Sequence, residues 1–462
     1  MGVVGETGTT RPPLGDSIAR DAAPDTIAAR ARRHRETLAV DGTVRDPSDL
    51  TQAGWAVLFA SDEDHRVKEA LQPLLDWRRT QVGHDRLFRV FEGDAGFRPR
   101  QTVSGWTSSK GVTVAAPVRP TSGVPYYLLI VGSPARIPFE FQQQLDLQWA
   151  VGRLSFDDVQ AYADYAASVI EYEKGRAPRR ARAIASWMPR NPGDPATAML
   201  AGTFEHDFSG AAGDPPGPIG RKEGFRAIAL TGDPATKDAL SGLFSPSPGT
   251  LPPAIVFTGS HGAEWESANA ALQRRLQGAL VTQQWTPGQP LAPEHYFAGQ
   301  DLGACVAVHG LIAFLFACFG AGCPAEDSYY KNAAGAKLRL AAEPFVAHLP
   351  KELLRRGALA VVSHVDRAFS YGFQDTLGTS QPQLLRTPLE RLMAGDRVGM
   401  AVDALNAAWA SLAAQYGVAL GALMPGAKLP ASLLSLVVAR DDARNYVVLG
   451  DPAVRLDVGR LG

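Results

Sequence analysis

Two residues suited to thiol chemistry close two short apolar runs. His261 ends AIVFTGSHG (254–262), and Cys318 ends the apolar part of LIAFLFACFG (311–320). A continuous apolar run of about four to eight residues that stops at glycine reads as a strand buried on both faces. If two such strands lie parallel and adjacent, their carboxyl ends share one sheet edge, where open α/β sheets place their ligands. A histidine and a cysteine meeting there are the base and the nucleophile of a thiolate mechanism. Gly262 follows the histidine, and Gly320 and Gly322 follow the cysteine. Backbone N–H groups in these turns are free to approach a substrate carbonyl and form an oxyanion hole.

Other pairings fail on geometry. His309 begins the strand that Cys318 ends, and nine extended residues at ~3.3 Å each put it roughly 30 Å away at the opposite edge. Cys305 has no strand to position it, and Cys323, followed by Pro324, packs under the loop. A Cys318–Cys323 disulfide is conceivable, but a reducing compartment is expected. No CxxC or HxxxH spacing supports a metal site. GAGCPAED (320–327) is neither a dinucleotide fingerprint nor a phosphate-binding loop, so no cofactor is expected. Taken singly, a buried cysteine is usually a small hydrophobe and a strand-end histidine a satisfied loop residue.

The composition narrows the class. The 462 residues suffice for two or three domains with buried cores. Lys plus Arg number 46 against 47 acidic residues, a net charge of -1 that argues against nucleic acid or an anionic membrane as partner. Three cysteines are too few for a disulfide framework. The opening MGVVGETGTTRPPLGDSIARD lacks the apolar core of a signal peptide, and no run approaches ~20 apolar residues, so a cytoplasmic protein is expected.

The elements that must hold the pair alternate along the chain. Residues 1–50 are polar and rich in Gly, Pro, Arg and Asp, and read as disordered or loosely attached, with a short basic helix at 25–37 as the alternative. Strands are expected at Trp55–Ala60 and 126–132, with helices near 67–79 and 157–174, up to the break GRAPRR at 175–180. Beyond it follow strand, helix, strand and helix up to the histidine strand, then an irregular insertion at 264–310 with two tryptophans, then the cysteine strand. A helix near 343–356, the strand ALAVVS (358–363), helices near 382–395 and 398–415 and the strand YVVLG (446–450) complete the pattern. Such alternation implies parallel sheets flanked by helices.

His-Gly closing one apolar strand and Ala-Cys closing a later one resembles the caspase-like cysteine peptidases, most of all their gingipain-type branch. The similarity extends to LLIVGSPARIP (128–138), AVGRL (150–154), TGSHGAEW (258–265), FACFGAG (316–322), GALAVVS (357–363) and VVLGDPAVRL (447–456). The Gln that precedes Ala-Cys in caspases is replaced here by Phe316. The resemblance implies a three-layer α/β/α fold with mostly parallel sheets and two subdomains, at about 51–175 and 176–458. It implies a His261/Cys318 dyad, oxyanion donors at the amides of Gly262 and Cys318, and a protein or peptide substrate. A regulatory protease of bacterial defence or cell death, with an activating partner, follows by analogy alone.

A pocket for a basic side chain needs a buried carboxylate and a flat apolar wall. Asp146, Asp366 and Phe369 fall where the family carries its pocket, which implies cleavage after Arg or Lys; as plain surface acids the two Asp residues would do nothing of the kind. Glu140 and Glu264 are candidates to orient His261. The 264–310 insertion is expected to act as a lid, opened by a partner or by self-cleavage after Arg274 or Arg275, unless these two lie on the solvated face of a short helix. Two other readings of the chain stand beside the peptidase: a non-catalytic peptide-binding scaffold, and a thiol amidase or acyltransferase on the same dyad.

Overall fold

The apolar runs become the interior strands of one wide sheet. The computed structural model describes residues 2–9, 44–209, 219–303, 306–331, 335–423 and 430–462, so the helix expected at 25–37 and Cys305 lie outside the described residues. The strands of the wide sheet are β1 Trp55–Phe59, β2 Phe88–Phe91, β3 Tyr127–Val131, β4 Ala150–Leu154, β5 Ala181–Met188, β6 Arg226–Thr231, β7 Pro253–Gly259, β8 Ile312–Phe316, β9 Ala360–His364 and β10 Tyr446–Gly450. Their spatial order is β2-β1-β3-β4-β10-β9-β8-β7-β5-β6. Every neighbouring pair is parallel except β9 with β10. The sheet therefore consists of two parallel halves running in opposite directions, joined at one antiparallel seam.

Burial explains the sequence pattern. Every residue of β1, β3, β7, β8 and β9 is buried, as expected where helices cover both faces and alternation is lost. The edge strand β6 is exposed or half-buried throughout, and carries Arg226 at its start. Helices such as His65–Val82, Val159–Glu173, Pro195–Ser209 and Asp403–Gly421 flank the strands. No described helix is long and apolar enough to cross a membrane.

Two departures from expectation matter. β4 holds a buried arginine: Arg153 donates to Gln142 Oε1, Gly132 O and Pro138 O, so its guanidinium is satisfied by neutral acceptors and burial lowers its pKa to about 9. The segment expected to be loose is ordered at Gly2–Val4, which forms a strand on Gly262–Glu264. Those two strands, with Leu280–Val281 and Tyr296–Phe297, make a separate four-stranded sheet. Three short pieces of the 264–310 insertion, at Glu264, Leu280–Val281 and Tyr296–Phe297, are thus built into a sheet.

Candidate active site

Four neighbouring strands, β9, β8, β7 and β5, point their carboxyl ends to the same edge, and each delivers part of one cluster. In the register of β7 against β8, Gly259 lies opposite Phe316. His261 and Cys318 each follow two residues later, so neighbouring strands ~4.8 Å apart carry them out side by side. The loops then press together: a Cβ on Gly262 would lie 1.9 Å from the Cys318 carbonyl oxygen. Glycine is required there by contact between the two backbones. Phe319, the residue after the cysteine, holds a left-handed φ of 58° and donates its N–H to Asp366 O at 2.7 Å. Asp366 also has a left-handed φ, at 69°. Such strain outside glycine concentrates at functional sites.

The third strand supplies a residue that sequence reasoning missed. Six residues past the end of β5, Asp194 stands before the helix Pro195–Ser209. Its carboxylate accepts from Ala196 N, Thr197 N and Thr197 Oγ1, in the manner of an N-cap. One oxygen, Oδ2, also lies 2.7 Å from His261 Nε2. Burial pushes the Asp194 pKa up, but the bonds from His261, Thr197 and Ala196 outweigh it and hold the group at about 2. His261 Nδ1 is buried and has no hydrogen-bond partner among the described residues. With Nε2 held by a carboxylate, Nδ1 is the nitrogen left for chemistry. Asp194, and neither Glu140 nor Glu264, reaches the histidine. Glu140 is exposed on its helix, and Glu264 binds Arg367 through both oxygens, at 2.5 and 2.7 Å.

The insertion frames the histidine from the other side. Trp285 meets the His261 ring edge-on, with centroids 5.8 Å apart. Val281 N donates to His261 O, and Asn191 Nδ2 donates to Thr282 O and Trp285 O, tying the insertion to the Asp194 loop. The insertion thus packs beside the site. Arg274 and Arg275 occupy the last turn of the helix Ala270–Leu276, with Arg274 3.7 Å from Glu343 and Arg275 bonded to Gln300. The bonds after them lie in or beside that folded turn, whereas a protease needs an extended segment, so the helix expected as the alternative is what forms.

Beyond β9, the chain passes under the cysteine. Ala368 N lies 3.2 Å from Cys318 Sγ. Arg367 is buried between the carboxylates of Glu264 and Asp327 and over the rings of Phe319 and Tyr330. Asp366 accepts from Arg367 N and Ser328 N; burial, and then Asp327, raises its pKa to about 7. Phe369 packs against Tyr329 at 4.7 Å, and its N–H goes to Asp442. Asp146 is not brought to the cysteine by any described contact. It ends the helix Phe139–Leu145, accepts from Val151 N and faces a gap lined by Val362, Val402, Leu405 and Tyr446. Burial raises its pKa above the usual carboxylate value. Cys318 and Cys323 are both free thiols, and burial pushes that of Cys323 far up, marking it as structural. Among the described residues, no group of three or more His, Cys, Asp or Glu could hold a metal.

No family model and no curated protein matches the sequence. Among solved structures, that of a protease aligns with 91% of this chain and 80% of its own, at 13% identity and a TM-score of 0.50. The architecture is caspase-like. Two structures of the Saccharomyces cerevisiae separase–securin complex also align, over 71% and 75% of this chain, at 11% and 9% identity and TM-scores of 0.33 and 0.31. The chain spans only 16% of each separase chain. These likenesses are of fold alone, and the chemistry has to be argued from the caspase-like sheet edge itself.

Proposed function

We propose that the chain is a cysteine peptidase of the gingipain-type branch, with Cys318 as nucleophile, His261 as acid–base and Asp194 holding the histidine. The observation that carries this reading is the 2.7 Å contact of Asp194 with His261 Nε2, in a loop whose backbone abuts that of Cys318. A scaffold that only bound peptides would have no use for a carboxylate holding one particular ring nitrogen. In the reaction, the Cys318 sulfur, its proton passed to His261 Nδ1, bonds to the scissile carbonyl carbon. The amides of Gly262 and Cys318 stabilise the oxyanion. The C–N bond then breaks as His261 returns the proton to the leaving amine, and water hydrolyses the thioester.

Cleavage after a basic residue remains part of the proposal on altered grounds. Asp146 no longer supports it. Its support is the acidic surroundings of the cysteine, where Glu264 and Asp327 both pair with the guanidinium of Arg367 and Asp366 accepts from the Arg367 backbone N–H. The deciding experiment incubates wild type and Cys318→Ala with cell lysate and maps the new protein termini. The expected result is a set of termini that is preceded by Arg or Lys and absent with Cys318→Ala. Identical termini from both proteins would defeat the peptidase reading. Termini preceded by Asp or apolar residues would defeat the specificity alone.

A further inference from the structure

Cys318 and His261 are 0% and 1% exposed. A nucleophile must come within about 3–3.5 Å of its substrate carbonyl, so something occupies the approach. That occupant is the strand Gly2–Val4. It runs parallel to Gly262–Glu264, the three residues directly after His261, with Gly2 opposite Gly262, Val3 opposite Ala263 and Val4 opposite Glu264. A Cβ built on Gly2 would stand 3.5 Å from Cys318 Sγ and 3.7 Å from Arg367 Nη1. The backbone at position 2 therefore lies across the sulfur.

Several contacts seat the strand. Val3 is 0% exposed, in an apolar cluster with Ala263, Trp265, Leu276, Val281 and Trp285. Gly5 N donates to Glu264 O at 2.7 Å, and Leu291 N donates to Gly5 O. Gly8 N closes a turn onto Val4 O, and Gly8 O receives Gly288 N. Gly8 lies so close to the Gln289 carbonyl that a Cβ would sit 1.7 Å from it, at a φ of 64°. Main-chain pairing plus one anchored apolar side chain is how an extended peptide adds to a sheet edge.

We propose that residues 2–9 are a built-in occupant of the substrate groove, and that the site works only after this strand leaves the edge of Gly262–Glu264. The regulatory half of this inference rests on the peptidase reading; the occlusion does not. The same edge then receives the substrate as an extended strand, with an apolar side chain at the position Val3 fills.

The test compares full-length wild type with Val3→Asp, which puts a charge into the apolar seat, and Gly8→Val, which collides with Gln289. Neither change touches the catalytic groups. Iodoacetamide labelling of Cys318, read by peptide mass mapping, should be about tenfold faster or more in both variants, as expected for a strand that is bound most of the time. Cleavage of fluorogenic peptides should rise in parallel, and added synthetic peptide GVVGETGT should slow both again. Equal labelling in wild type and both variants overturns the occlusion. A variant that had merely unfolded would label Cys323 as well and ignore the peptide. Hydrogen exchange in unmodified wild type then decides: slow exchange at the Gly5 amide, which donates to Glu264 O, upholds the seated strand, and exchange at the rate of free peptide overturns it. Fast labelling without any peptide cleavage in the variants would leave the occlusion standing and remove the peptidase reading.

Discussion

Asp194 is the residue whose role the sequence hides. It lies in Asn-Pro-Gly-Asp-Pro, where an aspartate before proline reads as a helix N-cap, and it is one. Its second duty depends on β5 lying beside β7, which no local pattern encodes. His261 and Cys318 stand out because apolar strands end abruptly on polar chemistry, whereas Asp194 is a polar residue in a polar loop. Glu264 illustrates the converse error: closeness in sequence to His261 suggests an orienter, yet a strand turns it toward Arg367. Asp194→Asn should lower kcat/KM by roughly 10²-fold or more, because the ring loses the partner that sets its tautomer. Steady-state kinetics on a peptide substrate, with circular dichroism to verify folding, checks this. The same residue predicts a pH trend in stability. Its folded pKa of about 2 lies below the ordinary 3.8, so its contribution is complete above about pH 4 and is lost as the pH falls toward 2. The stability gap between wild type and Asp194→Asn in urea should shrink over that window; a gap constant down to pH 2 would contradict it.

At the scale of elements, the long apolar strands and their flanking helices are legible, and the short pieces that finish the site are not. β7, β8 and β9 lie where their runs predict. β4 escapes notice because AVGRL carries an arginine whose buried, fully bonded state only the folded structure reveals. Gly2–Val4 is three residues long, too short to show a period, and is recognised only through its partner. The most consequential junction between elements is Arg367, which ties the exit of β9 to the strand Gly262–Glu264 and to Asp327 in the strand Glu326–Lys331. Arg367→Met leaves two buried carboxylates without their cation and should cost about 3–5 kcal/mol, measurable by chemical denaturation. A loss under 1 kcal/mol would mean that the pairs contribute little in solution.

Across the whole molecule, the two halves of the sheet meet at the seam where β10 pairs antiparallel with β9, while β10 pairs parallel with β4 on its other side. Directly after β10, Asp451 accepts from Trp55 Nε1 and Arg78 Nε at full burial, and Arg78 also reaches Glu173. Asp451→Ala should therefore destabilise the far half by about 1–3 kcal/mol, because it leaves the buried Trp55 Nε1 and Arg78 Nε donors without an acceptor while Glu173 still faces the guanidinium. Loss of Trp fluorescence at lower urea, with Cys318 labelling unchanged before the transition, is the expected signature. The seam also orders events in time. On a ribosome, residues 446–450 emerge after all nine other strands, and Val448 must find Gly152, almost three hundred positions earlier. Such distant pairing forms slowly. Until it forms, the edge that carries the cysteine belongs to a half-sheet with an open flank, so the site of the proposed peptidase is framed on both sides only once synthesis has passed β10.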